Sequence, residues 1–168
     1  MDEAQVGLTY PILKCWMKRG EQKRIPMSTR QRRSQILAGA LNWRTEQVHC
    51  RELERLDSDN IVTYLEWLLT EVYPHQKVVL VLDNAAFHHS ATVQAALTCF
   101  EHRVLLLWLP PYSPDLNPIE RFWKHLKATV CANHLYASLD QLIQSVRYFI
   151  TAHNSFDPNF HLSFARNF

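Results

Sequence analysis

A chain of 168 residues, 47% apolar and 20% charged, is long enough to bury one core and too apolar to stay disordered. Its longest unbroken apolar runs, Val78–Leu82 and Val104–Leu109, are far too short to span a bilayer, and no membrane partner is expected. The net charge of +2 hides an asymmetry: residues 1–33 hold eight basic side chains against three acidic ones, a local +5 that leaves −3 for the remainder.

That basic segment, with Lys14, Lys18, Arg19, Lys23, Arg24, Arg30, Arg32 and Arg33, suits a phosphate backbone, whose binding is mainly electrostatic. A solvated surface loop accounts for the same charges. The four cysteines are scattered without a Cys-x-x-Cys pair, so neither a disulfide framework nor a structural zinc site is expected. Cys131 and His134 have ligand-like spacing but lack two further partners. No secretory leader is read at the start, and the scattered cysteines fit a reducing cytoplasm.

In chain order, Gln35–Asn42 and Glu46–Arg51 are short strand candidates joined as an antiparallel hairpin. Ile61, Leu65, Leu68, Leu69 and Val72 recur at helical spacing behind Asp59-Asn60 as caps. Lys77–Leu82 is a continuous β-favouring run, predicted to be a central strand covered on both faces, and it ends at Asp83. Ser90 caps a helix reaching about Phe100, and Arg103–Leu109 forms the next strand. Strand, helix, strand in that order implies a right-handed crossover and parallel pairing. A loop rich in proline, Pro110–Pro114, leads to a helix from Pro118 to about Cys131. The last helix starts at Ser138, with Gln141 completing a capping box and Leu139, Leu142, Ile143, Val146, Phe149 and Ile150 facing inward. The fold class is a mixed α/β domain, antiparallel first and parallel second.

Two carboxylates stand out. Asp83 ends a buried parallel strand, where open α/β sheets place their ligands. It can hold a metal or cap the following turn. Glu120 can be the third residue of a capping box begun by Asn117, with Lys124 as an ion-pair partner one turn on. The same helix start favours its negative charge, which a metal ligand needs. Asp2 alone is a weak signal so near a terminus. Trp108, Tyr112, Phe122 and Trp123 read as packing residues rather than base-stacking platforms.

Together these residues carry a resemblance. Val79-Leu-Val-Leu-Asp-Asn-Ala85 with His88, and Leu109-Pro-Pro-Tyr-Ser-Pro-Asp-Leu-Asn-Pro-Ile-Glu-Arg-Phe-Trp-Lys124 with Leu126-Lys127, resemble the DDE endonuclease domain of mariner-type transposases, in particular the bacterial insertion-sequence family numbered 630. Met1-Asp2-Glu3 is similar to that family's first catalytic motif, and Trp16–Gly20 to the segment after it. The similarity runs from Asp2 to about Ile150.

The resemblance implies a ribonuclease H-like fold: a mixed five-stranded sheet with helices on both faces, the first strand largely missing here. It implies Asp2, Asp83 and Glu120 as catalytic metal ligands, with 36 residues between the last two, and supporting roles for Asn84 and His88. Two Mg²⁺ or Mn²⁺ ions about 3.5–4 Å apart fit hard oxygen ligands and an in-line phosphoryl displacement. Lys14, Lys18, Arg19, Lys23, Arg24, Arg121, Lys124 and Lys127 are the candidate DNA contacts. The partners implied are double-stranded DNA, both element ends and target, and a homodimer or full-length transposase. The reaction implied is strand cleavage followed by 3′-end strand transfer. The family's N-terminal helix-turn-helix region is expected to be missing, and residues 1–168 are expected to be a single catalytic domain, a fragment weak in activity and without sequence-specific end binding. A non-transposing nuclease of the same fold, and a non-catalytic remnant that binds DNA or dimerises, remain alternatives.

Overall fold

The computed structural model describes residues 1–9, 13–14, 16–21, 24, 33–111 and 113–155. Strand β1 (Asp2–Gly7) pairs antiparallel with β2 (Ser34–Leu41), which pairs antiparallel with β3 (Val48–Leu53). The β2–β3 connection is the expected hairpin. Its turn closes through Asn42, whose Oδ1 accepts from the backbone N–H groups of Arg44 (2.9 Å) and Thr45 (3.2 Å), and it passes through Glu46 in the left-handed region. Strand β4 (Val78–Leu82) pairs in parallel with β5 (Val104–Trp108), as the strand–helix–strand order requires.

The first strand, expected to be largely missing, is present over Asp2–Gly7, and Asp2 stands at its beginning. Its residues alternate strictly: Ala4 and Val6 are buried on one face while Gln5 is exposed. The five strands do not form the continuous mixed sheet that was expected. Among the described residues they divide into a three-stranded and a two-stranded sheet. The two meet where the Met1 amino group donates to the Val81 carbonyl at 2.9 Å.

Helix α1 (Ser58–Trp67) begins behind Asp57, not Asp59-Asn60. The Asp57 carboxylate accepts from the Asn60 backbone N–H at 2.9 Å and from its side-chain amide at 2.7 Å. A π turn, Leu68–Val72, ends the helix, and the Arg103 guanidinium satisfies its freed carbonyls at Leu69 and Tyr73. Helix α2 (Ala91–Thr98) is capped by Ser90, whose hydroxyl accepts from the Val93 N–H at 3.3 Å. Helix α3 (Pro118–Leu126) is shorter than expected because a π turn, Lys127–Cys131, replaces its last part. Helix α4 (Leu139–Asn154) is capped by Ser138, while Gln141 reaches back to the Ala137 N–H. At its far end Asn154 exchanges two 2.8 Å bonds with the Val48 backbone, fastening α4 to the start of β3.

Two apolar clusters result. Ala4, Val6, Leu37 and Val48 meet α3 and α4 on one face of the three-stranded sheet. Met1, Ala38, Ala40 and Leu53 join Leu80 and Leu82 under α1 and α2 on the other. The three-stranded sheet thus has helices on both faces. The β4–β5 pair does not: Val79, Leu105 and Leu107 are exposed, so the expectation of a strand covered on both faces is corrected.

Close packing of α3 depends on Gly39 in β2. A Cβ there would lie 2.6 Å from Trp123 Cζ2 and 2.8 Å from Cη2, with Ile119 Cδ1 at 3.2 Å. The Trp123 ring is buried and has little room to retreat. Gly39→Ala should therefore cost about 1–3 kcal/mol in denaturant unfolding. Trp123→Leu in the same chain should recover part of that loss.

Candidate active site

The end of β4, the loop after β5 and the start of α3 enclose a cleft of about 390 Å³. Asp83, Asn84, Leu109, Pro111, Asn117 and Glu120 line it. Asp83 follows β4 directly, at the end of a parallel strand where backbone pairing stops and a polar side chain can face solvent. Its Oδ1 accepts from the Ala85 N–H at 3.1 Å, so it does cap the turn. No described hydrogen bond falls on Oδ2, which remains available to the cleft. Asn84 joins the two walls: its amide donates to the Leu109 carbonyl, and its Oδ1 lies 3.2 Å from His89 Nε2. The His89 ring in turn stacks on Trp108 at 4.2 Å.

Glu120 sits in the first turn of α3 and is exposed. The capping box that would have explained it without chemistry is not formed. Asn117 makes no side-chain cap; its amide donates instead to the Met1 carbonyl at 3.4 Å, buried against the start of β1. The expected Glu120–Lys124 ion pair is not formed either. The Glu120 carboxylate is therefore free to face the cleft, in the favourable field of the helix N-terminus.

Asp2 and Glu3 are neighbours in a strand and point to opposite faces. Asp2 pairs in register with Gly39, on the α3 side, and is coupled electrostatically to Glu120. Burial, with the nearby charges of Glu3 and Glu120, raises its pKa from 3.8 to about 7. Glu3 pairs with Ala38, on the α1–α2 side. There it meets His88, fully buried in the 3-10 turn Ala86–His89. His88 Nε2 lies 3.3 Å from Glu3 Oε1 and His88 Nδ1 lies 2.9 Å from Asp83 Oδ1. Burial opposes a charge on this imidazole. The bond to Glu3 and the charges of Glu3 and Asp83 outweigh it and hold the pKa above the usual histidine value.

The three proposed ligands are thus neighbours but not a closed set. Among the described residues, no group of three or more His, Cys, Asp or Glu side chains is close enough to hold a metal ion. The donor chemistry nonetheless fits a hard divalent cation. Two carboxylates line one cleft, and a third is pushed towards neutrality by burial and by the like charges of Glu3 and Glu120, which a cation would offset. Of the Cys131–His134 pair, Cys131 is buried, and burial pushes its thiol up to about 11.

Of the candidate DNA contacts, Lys14, Lys18, Arg19, Arg24 and Lys124 are exposed, and Arg121 and Lys127 are half-buried. Lys18 lies 3.3 Å from Glu21. Lys23, like Arg30 and Arg32, lies outside the described residues. The segment after β1 is tied to the loop after α3: Leu13 exchanges backbone bonds of 3.1 and 3.0 Å with the Asn133 side chain. No helix among the described residues is long and apolar enough to cross a membrane.

Residues 1–143 match the DDE superfamily endonuclease family. The chain belongs to that family. It is also 31% identical over 160 residues to the insertion element IS630 uncharacterized 39 kDa protein of Shigella sonnei, covering 95% of this chain and 46% of that protein. Its fold is similar to that of the Mos1 transposase paired-end complex with the left transposon end (TM-score 0.72, 18% identity, 98% of this chain and 49% of that one). A Mos1 mariner paired-end complex with Mn matches similarly, with a TM-score of 0.70, 17% identity and coverage of 98% and 49%. A Mos1 paired-end complex with Mg gives 0.63 at 20% identity, over 89% and 46%. The chain spans about half the length of these proteins.

In this member of the family, the sequence reading gave no place to Glu3, which the structure brings to His88 beside Asp83. Its signal was available: a carboxylate three positions before Val6 and one before Ala4 must point to the face opposite those apolar residues.

The Asp2 shift has a stability consequence. An acid whose folded-state pKa is raised costs nothing below about pH 4, where it is neutral folded and unfolded; the cost grows as pH rises from about 4 to 7 and is complete above that. Asp2→Asn should therefore raise the melting temperature at pH 8 in metal-free buffer and change it little at pH 4. An equal effect at both pH values would show that Asp2 is not held towards neutrality.

Proposed function

We propose that this chain is the catalytic domain of a cut-and-paste DNA transposase, cleaving strands at the ends of a mobile element and joining the freed 3′ end to target DNA. The observation that carries the reading is the cleft lined by Asp83 and Glu120, with Asp2 coupled to Glu120 beside it. Membership of the DDE endonuclease family supports it. Asp2, Asp83 and Glu120 are the residues that would hold two Mg²⁺ or Mn²⁺ ions. Such ions activate an attacking oxygen and stabilise a leaving one in an in-line displacement.

The chain's own side chains divide the remaining work. Asn84 keeps the loop after β5 against the end of β4, which preserves the cleft's shape. Lys124 and Lys127 follow Glu120 on α3 and the turn after it, where they meet phosphates flanking the scissile bond. Lys14, Lys18, Arg19 and Arg24 provide a basic surface for the backbone of double-stranded DNA. Cleavage and strand transfer use one set of carboxylates because both are displacements at a phosphodiester. The assembly proposed is a homodimer, or this chain with full-length transposase.

A second reading is favoured by one observation: the carboxylates do not close into a ligand set on their own. On that reading the chain binds DNA or a transposase subunit without cutting. Glu120→Gln separates the two. The Glu120 side chain caps nothing, so the variant should melt within about 1 °C of the unmodified chain. Cleavage of terminal-repeat DNA with Mn²⁺ should fall by about a hundredfold or more. Absence of cleavage by the unmodified chain would favour the non-catalytic reading. Cleavage without any joined product would identify a nuclease that does not transpose.

A further inference from the structure

We infer that Glu3 and His88 are positioning residues for Asp83, and that together they fix its separation from Asp2; this rests on the metal-dependent reading above. Asp2 and Asp83 come from different sheets. Among the described residues, the Met1–Val81 bond joins the backbones at this seam. The side-chain bridge Glu3–His88–Asp83 spans the same gap. His88 lies 3.3 Å from Glu3 Oε1 by one nitrogen and 2.9 Å from Asp83 Oδ1 by the other.

The bridge is built to be rigid. His88 is fully buried and the Glu3 side chain nearly so, at 8% exposure, while Asp83 reaches out to 45%. The His88 backbone is fixed from both sides: its N–H donates to the Ala85 carbonyl at 3.0 Å, and its carbonyl accepts from the Gln94 amide at 2.9 Å. The ring packs edge-on to Phe87. A carboxylate held at Oδ1 by the imidazole and the Ala85 N–H cannot rotate, so Oδ2 is presented to the cleft in one orientation. Glu3 adjoins Asp2 in β1, so movement of one ligand's strand is transmitted to the other. Neither Glu3 nor His88 lines the cleft. Their effect reaches the reaction through Asp83.

Glu3→Gln preserves the bridge whichever nitrogen of His88 carries the proton, because an amide can donate or accept. Glu3→Asp keeps the charge but withdraws it by one methylene. The order of these two variants therefore distinguishes anchoring from charge. The test is calorimetric titration of the chain with Mn²⁺, with melting curves in metal-free buffer. Partners of metal-ligating groups are worth about 10–100-fold in metal affinity. Glu3→Ala and Glu3→Asp should weaken Mn²⁺ binding by about tenfold or more, and Glu3→Gln should bind within about threefold of the unmodified chain.

Binding by Glu3→Asp that equals or exceeds that of Glu3→Gln overturns the proposal, and this comparison stands even where Glu3→Ala does not fold. Asp83→Asn is the control. Loss of binding in Asp83→Asn with full affinity in all Glu3 variants sinks the positioning role alone. No Mn²⁺ binding by the unmodified, folded chain sinks the metal-dependent reading, and the positioning role with it.

Discussion

Everything at the candidate site depends on how closely α3 approaches the three-stranded sheet. Gly39 has no side chain, so the Trp123 ring and Ile119 settle against the backbone of β2 where β1 begins. Ile119, Phe122, Trp123 and Leu126 are all buried there, and they fix the rotation of the helix about its axis. Glu120 stands among them in sequence but on the flank of that buried face, at the cleft. Asp2 is the residue paired with Gly39. One close contact therefore sets both the depth of α3 and the proximity of two carboxylates from distant parts of the chain.

Around that contact the structure concentrates negative charge that the buried Met1 amino group and His88 offset only in part. Asp2 is half-buried near Glu3 and Glu120, and its raised pKa records the cost. A protein with only structural demands would pair such a carboxylate or replace it. Asn117 behaves in the same spirit, holding the Met1 carbonyl and leaving the first turn of α3 uncapped. Local stability is given up at two points on the rim of one cleft, as is usual where a ligand later supplies the missing interaction.

Among the described strands, the two sheets are joined more by side chains than by backbone. The Met1–Val81 bond marks the seam, and beneath it Leu80 and Leu82 share a cluster with Ala38, Ala40 and the buried face of α1. His88 adds a polar strut across the same seam. On the opposite side, the exposed Val79, Leu105 and Leu107 leave the β4–β5 pair with one packed face. A continuous apolar run in a strand reports which residues prefer burial, not whether a second layer is there to bury them.

The sequence by itself determined most of the elements. The β2–β3 hairpin, the parallel β4–β5 pair and the caps at Ser90 and Ser138 follow from local patterns that tertiary packing did not override. So does the placement of Asp83, because strand ends are local features. The family resemblance further singled out Asp2 and Glu120. Only the tertiary structure decided the rest, since it turns on contacts between residues far apart in the chain. It showed that Asn117 caps Met1 rather than α3, that Glu120 is consequently unengaged, and that Glu3 reaches His88 across 85 residues. It also divided the sheet and left one face of it open. Hydrogen-bond partners at such separations are set by how layers stack, and the pattern within any single segment carries no record of that.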